Sequence, residues 1–112
     1  MSEDPAGNLW VILPGKDKRT LVVGSHLDSV PKGGWLDGAL GVMAGLELIR
    51  ALAKGGQPPI TVAVVDWADE EGARFGRSLF GSAACVGTLD FDTLRGLADK
   101  EGNKLPEVLA KH

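Results

Sequence analysis

The feature that most constrains this chain is a sixteen-residue helical pattern lodged between two runs that read as buried strands. Residues Ala39–Lys54 (ALGVMAGLELIRALAK) place Leu40, Met43, Leu46 and Ile49 at helical spacing. Asp37 stands just upstream and Gly55-Gly56 just after, a start and a stop signal. On either side, TLVVGS (residues 20–25) and ITVAVVDW (residues 60–67) are β-branched apolar runs flanked by glycine, proline or charge. A third run, NLWVIL (residues 8–13), ends at the turn Pro14-Gly15-Lys16-Asp17. Shorter helices are predicted over residues 78–86 and 92–97, and over residues 106–111, where proline opens the segment. The order strand, strand, helix, strand, helix points to a layered α/β fold.

At 112 residues the chain makes one domain at most, with no internal repeat and no linker long enough to divide it. Twelve Lys and Arg against fifteen Asp and Glu give a net charge of −3, without basic blocks. That balance argues against nucleic acid or an anionic membrane as the main partner. No apolar stretch approaches the roughly 18 residues of a membrane span, and Met-Ser-Glu-Asp-Pro lacks a signal-peptide pattern. A soluble, cytoplasmic protein is expected. The single cysteine, Cys85, excludes a disulfide framework and a cysteine zinc finger, and it reads as a small buried residue of a helix. Asp4-Pro5-Ala6-Gly7-Asn8 is a dense turn signal with only three residues before it, so the first hairpin arm reads as missing. So few strands also leave an apolar sheet edge unpaired, and an incomplete core is expected.

Three clusters could carry chemistry. His26-Leu27-Asp28 ends the second strand, where ligand sites of open α/β sheets lie. Asp28 there could hold His26 in one tautomer, as a metal-binding imidazole requires, although an isolated His-x-Asp is more often an ordinary strand end. Asp37, between a glycine-rich loop and the long helix, suits either an N-cap or a metal-bridging carboxylate at a positive helix end. The third cluster, Asp66-Trp67-Ala68-Asp69-Glu70-Glu71-Gly72, sets three adjacent acids directly after the most apolar strand. Such a run is usually a solvated turn, yet beside a cation one carboxylate can ligate while its neighbour takes a proton from water. Together, one imidazole and several carboxylates at strand ends signal a hydrolytic metal site if they converge. Trp10, Trp35 and Trp67 read as packing residues, Trp35 also as a pocket wall, and Arg74 as a surface residue or a charge partner of the glutamate loop.

The runs GSHLDSVPKGGWLDGALGVMAGLE (residues 24–47) and VVDWADEEGARFGRSLFGS (residues 64–82) resemble the metal-dependent amidohydrolase branch of the M20 peptidase superfamily. Within that branch they are similar to N-carbamoyl-amino-acid hydrolases, β-ureidopropionases and allantoate amidohydrolases. Gly7-Asn8-Leu9-Trp10 fits as well, so the likeness covers nearly the whole chain.

The resemblance implies a three-layer αβα sheet of the zinc-peptidase-like type, here incomplete, with residues 1–112 as the N-terminal portion of the metal-binding catalytic domain. It implies two divalent ions (zinc, or manganese, cobalt or nickel), with His26 a ligand of one, Asp37 a bridge, Glu71 a ligand of the second, Glu70 the general base and Asp28 the orienter of His26. The reaction implied is hydrolysis of a linear carbon-nitrogen bond in a small ureido or amide substrate. Some features depart from the branch: Leu36 stands where an aromatic precedes the bridging aspartate, and Asp69 where Asn precedes the glutamates. The only other histidine, His112, matches neither of the two later histidines of the family, and no run of these 112 residues resembles the lid-like domain that the resemblance implies carries the dimer contact. The isolated chain is therefore expected to be an inactive fragment of a homodimeric enzyme. An aminopeptidase or deacylase of the same superfamily, or a non-catalytic remnant or interaction module, are the alternatives.

Overall fold

The computed structural model describes residues 1–111, apart from the side chain of Phe91; His112 lies outside the described residues. The element order is β1 (Ser2–Glu3), β2 (Leu9–Leu13), β3 (Asp17–Ser25), α1 (Ala39–Lys54), β4 (Ile60–Asp66), α2 (Phe80–Cys85), α3 (Phe91–Arg95) and α4 (Leu105–Leu109). The α/β class and the main elements are those expected. The arm read as missing is present: the Asp4–Asn8 turn leads back to β1, whose Ser2 and Glu3 pair antiparallel with Trp10 and Leu9.

The strands form one mixed sheet in the order β1-β2-β4-β3. β4 enters between β2 and β3, antiparallel to the first with Val11 opposite Val64, and parallel to the second with Val23 opposite Val64. Being central, β4 is the most buried strand, with Val62, Ala63, Val64 and Val65 all at 3% exposure or less. Such an uninterrupted apolar run belongs to a strand covered on both faces. β3 is an edge, and its Leu21 and Val22 are exposed.

The helix has the expected bounds, but its sheet-facing stripe is not the one its largest residues suggest. Leu40 and Met43 are exposed, whereas Val42 and Gly45 are buried. The reason is close approach: a Cβ on Gly45 would stand 2.9 Å from Val64 Cγ1, so the smallest residue of the helix meets the sheet. The three short helices gather a separate apolar cluster, Phe75, Phe80, Leu94 and Leu105, against Ala6 and Ala68. Two packing expectations are corrected here. Cys85, at the end of α2, is exposed, because the buried face of that helix is Phe80 and Gly81. Trp35 is 79% exposed on its loop, while Trp10 and Trp67 pack edge to face at 5.6 Å.

Candidate metal centre

The site forms where β3 and β4 end side by side. Ser25 and Asp66 are paired in register, so the chain beyond each strand leaves the sheet at the same edge. His26 follows β3, Glu70 and Glu71 follow β4, and Asp37 sits on the loop that leads into α1. One ligand atom from each of His26, Asp37 and Glu71 can be chosen so that all three lie within 4.8 Å of one another. Glu70 Oε2 is 3.6 Å from His26 Nε2.

His26 is only 9% exposed and packs on Gly38. Its Nδ1 lies 2.9 Å from the Asp28 carbonyl oxygen and 3.3 Å from Asp28 Oδ1. Both neighbours are acceptors that bind a proton on Nδ1, and Nε2 is turned toward the Glu70 carboxylate, on the side where a metal-binding imidazole would present its lone pair. Burial disfavours the charged ring, but the bond to the Asp28 carbonyl and the charges of Glu70, Asp28 and Glu71 outweigh it and raise the His26 pKa.

Asp28 does more than face the histidine. Its two carboxylate oxygens accept from the backbone amides of Glu70 (3.3 Å) and Glu71 (3.0 Å). The glutamate pair is thereby anchored through its backbone, which leaves both side chains available to the site. Asp69, just before them, takes a left-handed backbone at φ 46° and accepts from the amides of Arg74 and Phe75. Among residues other than glycine, aspartate and asparagine tolerate this conformation best, which accounts for an acid where the resemblance leads to asparagine.

Other expectations are resolved by geometry. Asp37 is not an N-cap: the cap position is Gly38 and no side chain bonds the first turn of α1. The turn over residues 35–38 carries Asp37 one residue too early to reach those amides. Arg74 pairs with Asp99 at 3.3 Å rather than with Glu70 or Glu71, because the turn built on Asp69 points it toward the α3–α4 connection. The glutamates themselves are half-buried rather than a solvated face.

Two residues that the sequence places in its motifs take roles it did not assign to them. Asp66 accepts from the Leu27 amide at 2.8 Å and so ties the end of β4 to the His26 turn. Its pKa is raised, first by burial and then by the charge of Asp28, against the Leu27 bond and His26. Asn8 is fully buried behind the glutamate loop. Both stand in runs that carry the resemblance, but nothing in those runs tells which backbone groups they would bind.

An apolar cavity of about 490 Å³, lined by Phe80, Cys85, Leu94 and Leu105 among others, does not reach the cluster. A cleft of about 430 Å³ touches it only through Asp28. The chemistry of the donor set, not cavity size, marks the site. One imidazole nitrogen and two carboxylate oxygens are the donors that suit zinc or manganese, and three protein ligands are the usual complement of a catalytic zinc.

A mixed α/β sheet with imidazole and carboxylates gathered at its strand ends defines a hydrolase-type domain with a candidate metal centre. The chain belongs to peptidase family M28, whose family model matches residues 8–98. The resemblance above was drawn to the M20 superfamily, and the relatives carry the amidohydrolase names that it implied. An N-carbamoyl-L-amino acid amidohydrolase of Geobacillus stearothermophilus is 45% identical over 112 residues, matching 96% of this chain and 27% of its own length. The allantoate amidohydrolase of Escherichia coli is 37% identical over 109 residues, matching 95% and 26%. A crystal structure of a hydantoinase/carbamoylase family amidase from Burkholderia ambifaria superposes with a TM-score of 0.88 at 40% identity, covering 98% of this chain and 28% of that one. The chain thus spans about a quarter of the length of the relatives it matches. No helix among the described residues is long and apolar enough to cross a membrane.

Proposed function

We propose that this chain supplies the metal ligands and the general base of an amidohydrolase that cleaves linear carbon-nitrogen bonds other than peptide bonds. The substrates are small ureido or amide compounds of the N-carbamoyl-amino-acid, ureidopropionate or allantoate type. The observation that carries the reading is the convergence of His26, Asp37 and Glu71 to within 4.8 Å, with Glu70 3.6 Å from His26. The relatives' names supply the substrate class.

In this reading His26, Asp37 and Glu71 are the residues that would hold the divalent ions, zinc or else manganese, cobalt or nickel, with Asp37 as the carboxylate available to both. When bound, such ions polarise the scissile carbonyl and make water a competent nucleophile near neutral pH. Glu70 takes a proton from the attacking water and delivers it to the leaving nitrogen. Asp28 fixes the His26 tautomer and the backbone that presents Glu70. A ureido substrate then yields an amine and carbamate.

On its own the chain gathers three protein donors, enough for one ion but only two apiece, with Asp37 counted twice, for a pair. Two donors per ion hold a pair weakly, so the 112-residue chain by itself is expected to turn over no carbamoyl-amino acid or allantoate. The test is a cobalt titration followed by visible absorption, with a turnover assay in parallel. One cobalt per chain, lost in His26→Ala, and no turnover are expected. Absence of cobalt uptake would overturn the metal assignment. Turnover abolished by chelator and by Glu70→Gln would overturn the inactivity of the isolated chain.

A further inference from the structure

The segment from Ala68 to Gly81, which runs from the turn after β4 into the first turn of α2, carries Glu70 and Glu71, yet both its ends are held by a residue outside it. Asn8 is fully buried, and both its side-chain oxygen and its side-chain nitrogen are hydrogen-bonded. Oδ1 accepts from the Ala68 amide at 2.9 Å, where the loop begins. Nδ2 donates to the Gly81 carbonyl at 3.1 Å, where the loop ends, and to Asp4 Oδ2 at 2.9 Å. The two ends also join directly, since the Gly81 amide donates to the Ala68 carbonyl at 2.9 Å. Glycine is required at position 81 because a Cβ there would collide with Asn8 Oδ1 and with the Ala68 amide nitrogen.

A buried amide group is costly unless every donor and acceptor is paired, so a site like this accepts one side chain in one orientation. Asp4 fixes that orientation. Its Oδ1 accepts from the amides of Ala6 and Asn8, and its Oδ2 accepts from Asn8 Nδ2 and from Trp10 Nε1. The hydrogen bonds therefore run from the β1–β2 turn through Asn8 to both ends of the loop. Two residues beyond Ala68, the loop reaches the Glu70 amide that Asp28 holds.

We infer that Asn8 is a positioning residue of the metal centre. By setting the span between Ala68 and Gly81 it places Glu70 and Glu71 opposite His26 and Asp37. Asp28 alone fixes only the amides of the glutamates, whereas Asn8 fixes where the loop leaves and rejoins the core. The inference rests on the metal-site reading proposed above, and it assigns a role to a residue that touches neither ion nor substrate.

The test compares wild type, Asn8→Ala and Val65→Ala in the full 112-residue chain. Val65, wholly buried in β4, serves as a control for general destabilisation. Amide hydrogen exchange and cobalt affinity are measured on the same samples. In Asn8→Ala, protection at Ala68, Glu70 and Glu71 should fall about tenfold or more while the β4 amides stay protected, and cobalt affinity should fall about tenfold. Val65→Ala should lower overall stability with cobalt affinity unchanged. If Asn8→Ala does not fold, Asn8→Ser, which keeps one short polar group, is read in its place. Unchanged protection at Glu70 and Glu71, or equal cobalt affinity in a folded Asn8 variant, would overturn the inference. If wild type takes up no cobalt, the metal-site reading fails, and exchange at Glu70 and Glu71 still decides whether Asn8 sets the loop.

Discussion

Replacing Asp28 by alanine removes one carboxylate that serves three groups. Its oxygens accept from the Glu70 and Glu71 amides at 3.3 and 3.0 Å, and Oδ1 lies 3.3 Å from His26 Nδ1. Hydrogen bonds to a charged group each contribute about 1.5–3 kcal/mol, so the two amide bonds set a ceiling of about 3–6 kcal/mol. Two features lower that figure. The bond to Glu70 is long, and the Asp28 side chain is 27% exposed, so water can reach the freed amides. A loss of about 1–3 kcal/mol is therefore expected. In urea, where a small domain has a slope of about 1–3 kcal/mol/M, the unfolding midpoint should fall by about 1 M. Asp28→Asn keeps one acceptor oxygen but turns an amide donor toward the other backbone N–H, so it should lie between alanine and wild type. Because the same carboxylate steadies the imidazole and the glutamate pair, cobalt affinity should fall about 10- to 100-fold in the alanine variant. The assays are urea unfolding followed by circular dichroism and cobalt titration of the folded chain. A stability change below about 0.5 kcal/mol, within the range of an ordinary surface substitution, together with unchanged cobalt affinity, would refute the clamp.

Three further outcomes are expected. Glu70→Gln should leave cobalt binding nearly unchanged, whereas Asp37→Ala should abolish it; in any longer protein that contains this chain and is active, Glu70→Gln should also cost about 10²- to 10⁴-fold in turnover. Because the His26 pKa is raised above 6.5, the stability this residue contributes to the metal-free chain is fully present below pH 6.5 and is lost as pH rises through the raised value. Cobalt affinity should run the opposite way, strengthening over that same interval as the proton leaves the ring, and a titration series across it checks both signs. Asp66 has a raised pKa, so ionising it disfavours the folded state at neutral pH. Asp66→Asn keeps an oxygen to accept from Leu27 and should raise the melting temperature at pH 7, with the gain shrinking as pH falls through the carboxylate range.

What the sequence determined by itself is what short-range spacing can encode. The α1 pattern gave Ala39–Lys54 with its exact bounds, and the β-branched runs gave three of the strands, because helical and extended periods repeat within a few residues. The runs around His26, Asp37 and Glu70-Glu71 carry the likeness to amidohydrolases that the relatives bear out. Only the tertiary structure decided the pairings. It put β4 between β2 and β3, gave β1 a partner for its two residues, and turned Val42 and Gly45 rather than Leu40 and Met43 toward the sheet. It also freed Asp37 from the helix cap, joined Arg74 to Asp99, left Cys85 exposed, and made Asn8 the tie between Ala68 and Gly81. Each of these depends on atoms distant in sequence competing for the same hydrogen bond or the same few ångströms of packing space. Local periodicity carries no record of which competitor wins.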